Sequence, residues 1–190
     1  MMVKICGITN REDALVSVES GAAALGFNFY PDSPRYVAPE RAKAIVEVIP
    51  VRIWKVGVFV NEPPEIALRI ASEAGMDILQ LHGNAADYPP GLRLWRALRA
   101  GEAADLDAEA YLLDTPSERL HGGTGQTFDW KSARGLPGKI IIAGGLDEKN
   151  VRHAIEEADP WGVDACSRLE ASPGRKDHLK LTRFLKAALS

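Results

Sequence analysis

Lys4-Ile5-Cys6-Gly7-Ile8-Thr9-Asn10-Arg11-Glu12-Asp13 opens as a strand and closes as the first turn of a helix. Val3, Ile5 and Ile8 favour extended backbone, and Thr9-Asn10 reads as a cap ahead of Arg11-Glu12-Asp13. Alternation along a strand puts Lys4 and Cys6 on one face. By the strand rise they stand about 7 Å apart, where a cation favours the thiolate form of a thiol. Gly7 leaves space beside the sulfur. A cysteine in such a place also reads as a small buried apolar residue, so its meaning depends on what the chain sets around it.

The strand-then-helix unit recurs along the whole length. Ala14, Leu15, Val18 and Ala22 stripe a first helix ending near Gly21, and Ala24 to Tyr30 is a buried strand. Pro31 and Pro34 mark the next loop, and Pro39 opens a helix with Ala42, Ile45, Val46 and Ile49 on one face. A third strand is predicted over Ile53 to Val60, a helix over Pro64 to Ala74 and a fourth strand over Asp77 to Gly83. Only Asn84 to Leu92, with Pro89-Pro90, separates this from a fifth strand at Arg93 to Leu98, so any helix between them is a turn or two. A weak helix at Glu102 to Leu106 leads to a sixth strand, Ala110 to Asp114, and a glycine-rich loop runs from His121 to Trp130. Lys139 to Gly145 is the seventh strand with its turn, followed by a helix from Asp147 that carries Val151, Ala154, Ile155 and Ala158. Trp161 to Ser167 is the eighth strand, and Leu181, Phe184, Leu185, Ala188 and Leu189 stripe the last helix.

Eight strands alternating with helical segments, at uniform composition, predict an α/β protein. The expected architecture is a (β/α)₈ TIM barrel as a single domain over residues 1–190, with shortened helical connections in the middle. An open doubly wound sheet is the alternative.

The bulk numbers exclude several classes. At 46% hydrophobic residues, a 190-residue chain can bury a sizeable core. The balance of 23 basic against 26 acidic residues gives no nucleic-acid or membrane surface. No signal-peptide pattern precedes the first strand, and two cysteines without one predict reduced thiols in the cytoplasm. His82, His121, His153 and His178 lack metal-ligand spacing, so no metal site is expected.

In a barrel, chemistry belongs to the loops that follow the strands. Gly144-Gly145 offers bare backbone N–H groups near a helix start, and Cys166-Ser167-Arg168 offers a second set, a pairing suited to phosphate. The two glycines also read as a plain turn. Asp129, flanked by Phe128 and Trp130, is a candidate proton donor because apolar surface disfavours a charged carboxyl; it also reads as a helix cap. Arg35, between Pro34 and Tyr36, can grip a carboxylate bidentately or stand as a solvated loop charge. A thiolate base, a carboxylic acid, a phosphate cradle and a carboxylate clamp suit proton-transfer isomerisation of a phosphorylated, carboxylate-bearing substrate.

These residues lie within motifs that run from end to end: Lys4-Ile5-Cys6-Gly7-Ile8-Thr9, Ser33-Pro34-Arg35-Tyr36, Gly57-Val58-Phe59-Val60-Asn61, Leu79-Gln80-Leu81-His82-Gly83, Gly122-Gly123-Thr124-Gly125 with Phe128-Asp129-Trp130, and Ala143-Gly144-Gly145-Leu146. In them the chain resembles the phosphoribosylanthranilate isomerase family of tryptophan biosynthesis. The resemblance implies an intramolecular oxidoreductase, an aldose–ketose isomerase. Its reaction is the Amadori rearrangement of N-(5-phosphoribosyl)anthranilate to 1-(2-carboxyphenylamino)-1-deoxyribulose 5-phosphate, with no cofactor. By similarity Cys6 is the general base and Asp129 the general acid. Arg35 would hold the anthranilate carboxylate, His82 would touch substrate, and Gly144, Gly145, Ser167 and Arg168 would hold the phosphate. The expected assembly is a monomer or homodimer. One departure stands out: the family often has Ser-Ser-Gly-Val-Glu after the eighth strand, where this chain reads Cys166-Ser167-Arg168-Leu169-Glu170. Arg168 adds a cation beside the phosphate or points to solvent.

Two other functions compete. A metal-dependent pentose-phosphate epimerase needs converging histidines and aspartates, whereas only His82 lies at a strand end. A non-catalytic sugar-phosphate binder would not need both Cys6 and Asp129. Closure of a barrel would also bring Cys6 and Cys166 side by side, about 4.8 Å apart between strands, within reach of a disulfide where register and side-chain directions agree; Cys166 also reads, and more readily, as a small buried apolar residue pointing away from the site.

Overall fold

The structure, a computed structural model, describes residues 1–83, 87–99, 108–114 and 129–190. Its strands are β1 (Met2–Ile5), β2 (Ala24–Asn28), β3 (Trp54–Val60), β4 (Ile78–His82), β5 (Leu94–Arg99), β6 (Ala110–Asp114), β7 (Ile140–Ile142) and β8 (Gly162–Ala165). They close into one barrel in sequence order. Closure is made by β1, which pairs in parallel with β2 and also with β8, from Met2↔Gly162 to Ile5↔Ala165. That second ladder rules out the open sheet.

Alternation divides each strand between two cores. On β1, Val3 and Ile5 face outward and pack in the layer that holds Ala14, Ala42, Ala67 and Phe184 of the surrounding helices. These helices are α1 (Arg11–Glu19), α2 (Pro39–Val46), α3 (Pro64–Ala74), α4 (Val151–Ala158) and α5 (His178–Leu189). Met2 faces inward with Ala24, Val56, Ile78, Trp95 and Ile141, filling the barrel's amino-terminal end. Each large apolar side chain so buried contributes about 1.5–3 kcal/mol. Lys4 and Cys6 continue the inward row of Met2 toward the carboxyl-terminal end. Asn10 caps α1 as its sequence predicts, its Oδ1 accepting the Asp13 N–H at 2.9 Å.

Between β4 and β5, described residues 87–92 form turns and no helix, in keeping with the short spacing. The helix expected at Glu102 to Leu106 and the glycine loop up to Phe128 lie outside the described residues. The helix expected from Asp147 begins instead at Val151. Asp147 to Asn150 form a turn in which Asn150 Oδ1 accepts the Asp147 N–H and Asn150 Nδ2 donates to Gly145 O, both at 2.9 Å. After β8 comes a short 3-10 turn, Ser167–Leu169, and then an antiparallel ribbon of β9 (Glu170–Ser172) and β10 (Arg175–Lys176), which the sequence pattern did not announce. Among the described residues, no helix is long and apolar enough to cross a membrane.

Candidate active site

The first and last strands of the barrel build the centre of the site. The Cys6 N–H donates to Ala165 O at 2.9 Å, extending the β1–β8 register by one step, so Cys6 and Cys166 face one another. Two residues below on each strand, Lys4 faces Asp164. Lys4 is fully buried, and its Nζ lies 3.0 Å from Asp164 Oδ2. That is an ion-pair distance, although the angle is not that of a hydrogen bond, and Asp164 Oδ1 is buried without a partner.

The charges respond to this burial. For Lys4, burial opposes the cation, but Asp164 and Cys6 outweigh it and hold the ammonium above its ordinary pKa. Asp164 is pushed up to about 7, chiefly because burial disfavours its carboxylate more than Lys4 favours it. Cys6 is held well below the ordinary thiol range, because the facing Cys166 thiol and the nearby Lys4 and Lys176 ammonium groups favour its thiolate more than burial disfavours it. Cys166, which keeps the shared proton, is raised. Both thiols are reduced.

Above them a pocket opens at the carboxyl-terminal end of the barrel. Cys6, Arg35, His82, Gly144, Gly145, Ser167 and Arg168 all line it, together with Asn28, Gln80, Asp114 and Asp164. Gly144 and Gly145 have φ of 84° and 63°, a backbone that side-chained residues rarely adopt. Arg168, in the turn after β8, is exposed at the pocket's edge. Gln80 Nε2 lies 2.9 Å from His82 Nε2, which fixes the imidazole. Among the described residues, no group of three or more His, Cys, Asp or Glu could hold a metal ion.

Two expectations change in the structure. Arg35 lines the pocket, yet its bidentate grip is already engaged: Nε and Nη2 donate to Glu170 at 2.9 and 2.8 Å. Of the guanidinium, Nη1 is the nitrogen that Glu170 does not engage. Asp129 is exposed, and of its two expected aromatic flanks Trp130 turns inward to meet His153 edge-on at 5.7 Å, while Phe128 lies outside the described residues. Its carboxylate accepts the Lys131 N–H at 3.2 Å, the capping role that was its other reading, and it does not line the pocket.

The sequence reading missed Asp164, Glu170 and Lys176. Lys176 Nζ donates to Glu170 Oε1 at 3.1 Å and to Cys166 O at 3.2 Å from a fully buried position. Asp164 had a usable signal, since it follows Val163 by one place in an apolar strand, where a carboxylate needs a partner. Lys176 had none, because only the fold of the ribbon brings it under the barrel mouth.

A model of the family described as "N-(5'phosphoribosyl)anthranilate (PRA) isomerase" matches residues 3–187. The chain belongs to the phosphoribosylanthranilate isomerase family. Among phosphoribosylanthranilate isomerases, that of Solibacter usitatus is 50% identical over 99% of this chain and 97% of its own. The crystal structure of phosphoribosylanthranilate isomerase from Thermotoga maritima superposes with a TM-score of 0.86 at 41% identity, covering 100% of this chain and 98% of that one. A phosphoribosylanthranilate isomerase in complex with reduced 1-(o-carboxyphenylamino)-1-deoxyribulose 5-phosphate superposes with a TM-score of 0.80 at 38% identity, with coverage of 100% and 98%.

Proposed function

We propose that this chain catalyses the Amadori rearrangement of N-(5-phosphoribosyl)anthranilate to 1-(2-carboxyphenylamino)-1-deoxyribulose 5-phosphate, the isomerase step of tryptophan biosynthesis, in the cytoplasm as a monomer or homodimer. The observation that carries the reading is Cys6. It is a sulfur at the floor of the barrel-mouth pocket, backed by buried Lys4 and held toward its thiolate.

The steps follow from what the groups can do. Protonation of the ribose ring oxygen by Asp129 lets the C1–O bond break, and the substrate's own nitrogen takes up the positive charge as an iminium. The Cys6 thiolate then removes the C2 proton, and the electron pair moves into the iminium to give an enolamine, which tautomerises to the ketone. For the first step Asp129 must leave its cap on Lys131, a contact worth about 1 kcal/mol. A hydrogen bond from the protonated carboxyl to the ring oxygen, worth about 0.5–1.5 kcal/mol, offsets that loss. Gly144, Gly145, Ser167 and Arg168 are the proposed phosphate cradle, the outer edge of Arg35 the carboxylate contact, and His82 a substrate neighbour fixed by Gln80. Phosphate held by backbone N–H groups fits the left-handed turn at Gly144-Gly145.

The test is direct. Purified chain should abolish the fluorescence of the anthranilate substrate at the same rate with and without a chelator. Absence of turnover would refute the isomerase, and loss of activity with chelator would turn the reading toward a metal-dependent enzyme.

A further inference from the structure

Cys166, just past the end of β8, has no part in the scheme above. It stands directly across from the base. The two sulfurs are cleared by two glycines: a Cβ on Gly26 would meet Cys6 Sγ at 2.8 Å, and one on Gly7 would meet Cys166 Sγ at 2.9 Å. Gly7 also has a φ of +75°, so the turn that seats Cys166 beside the base is itself restricted to glycine.

The thiol proton of Cys166 has three directions open to it. Toward Glu170 the sulfur is 3.9 Å from Oε1, and that oxygen already accepts from Arg35 Nε at 2.9 Å, Lys176 Nζ at 3.1 Å and the Gly174 N–H at 3.3 Å. Toward Lys176 the contact, at 3.8 Å, is with a donor, which has no lone pair to offer. The long bond to Glu170 thus competes with three stronger donors, which leaves the Cys6 sulfur, directly across on β1, as the better acceptor.

We propose that Cys166 is a positioning residue for the base: its thiol donates a hydrogen bond to the Cys6 sulfur, stabilising the thiolate and aiming its remaining lone pairs into the pocket. This rests on the reading of Cys6 as the base. The groups facing the sulfur pair support a single negative charge there. Lys4 and Asp164 lie below it, Arg35 comes from the loop after β2, and Glu170 and Lys176 come from the ribbon. Three cations face Glu170 and an Asp164 carboxyl that is itself pushed up to about 7, with Asp114 near Asp164, so the surroundings favour a thiolate at this place. A second thiolate directly across would be repelled by the first, so the second thiol stays protonated and serves as the donor. The lowered Cys6 and raised Cys166 agree with this division.

The test is the rate at which iodoacetamide alkylates Cys6 between pH 5 and 10, read by mass spectrometry on the peptide that holds it. Cys166→Ala should move the midpoint upward by roughly one pH unit, and the acid limb of kcat/KM with it. Cys166→Ser, which restores a donor, should keep the midpoint within about 0.3 units of wild type. Should the alanine variant fail to fold, Cys166→Val fills the sulfur's space without a donor and takes its place. A wild-type profile in the donor-free variant overturns the proposal, as does an equal shift in the serine variant, which would mark a packing role. Because alkylation needs no substrate, a chain that shows the shift but turns nothing over refutes the isomerase reading and leaves the thiol pair standing.

Discussion

Gly7 has no side chain, yet it decides where two of the site's side chains can lie. A methyl group there would meet Arg35 Cδ and Cys166 Sγ, both at 2.9 Å, in a backbone conformation at φ +75° that a methyl group already disfavours. Around it, Cys6 and Asp129 carry separate proton transfers in the proposed reaction. Cys6→Ala and Asp129→Asn should therefore each lower kcat by at least roughly 10²-fold while leaving the fold and ligand affinity intact. Steady-state kinetics decide this, and turnover within a few fold of wild type removes that residue from the mechanism. The thiol pair has an oxidative consequence as well. Peroxide attacked by the Cys6 thiolate yields a sulfenic acid and hydroxide; attack by Cys166 sulfur then forms the Cys6–Cys166 disulfide and releases water. Activity lost to peroxide should return with dithiothreitol, and Cys166→Ser should form no crosslink. Peptide mapping that finds Cys6 oxidised but never joined to Cys166 would refute this.

At the scale of elements, the β9–β10 ribbon is what the barrel adds to its own mouth. Glu170 on β9 joins Arg35 from the loop after β2 to Lys176 on β10, with side-chain exposures of 14% for Arg35, 4% for Glu170 and 0% for Lys176. Burial works against the Glu170 carboxylate, but Arg35 and Lys176 outweigh it and hold it below its ordinary 4.5. A depressed carboxyl stabilises the fold above its unfolded pKa, and that stabilisation is lost as pH falls through the folded value. Glu170→Gln should thus cost about 3–5 kcal/mol at pH 7, and the gap to wild type should shrink below about pH 4. Urea unfolding at pH 7 and pH 3 measures it; an equal gap at both would show that charge is not the cause. Arg35→Ala should raise KM by roughly tenfold, about 1.4 kcal/mol of lost contact. An equal loss of affinity for a product analogue without the carboxylate would make Arg35 a purely structural partner of Glu170.

The whole molecule is divided end from end. Trp54, Trp95 and Trp161, each pair with ring centres 6.0 Å apart, close the amino-terminal end of the barrel, where β3 and β5 begin and β8 is about to begin. The pocket opens at the other end. Stability and chemistry are accordingly separable. Trp95 is fully buried, so Trp95→Ala should cost about 3–5 kcal/mol. At a temperature where the variant is still folded, kcat should stay within about twofold of wild type. Thermal unfolding and low-temperature kinetics read the two halves of that statement. A large fall in kcat of the folded variant would show that the two ends are coupled.

The order and type of all eight strands, the outward stripes of the helices and the lining positions of Cys6, Arg35, His82, Gly144, Gly145, Ser167 and Arg168 were legible in the sequence. Period-two and period-3.6 patterns, and the loop that ends each strand, are local properties that a chain writes in order. The β9–β10 ribbon was not legible, because elements of three and two residues are too short to show a period. Nor were the partners: Lys4 with Asp164, Cys6 with Cys166 and Arg35 with Glu170 are 160, 160 and 135 places apart in the chain. Only closure of β8 onto β1 makes them neighbours, and with it come the burial and charge that set their protonation. Residue types and their faces follow from the chain, whereas which charge faces which sulfur is a property of the closed barrel.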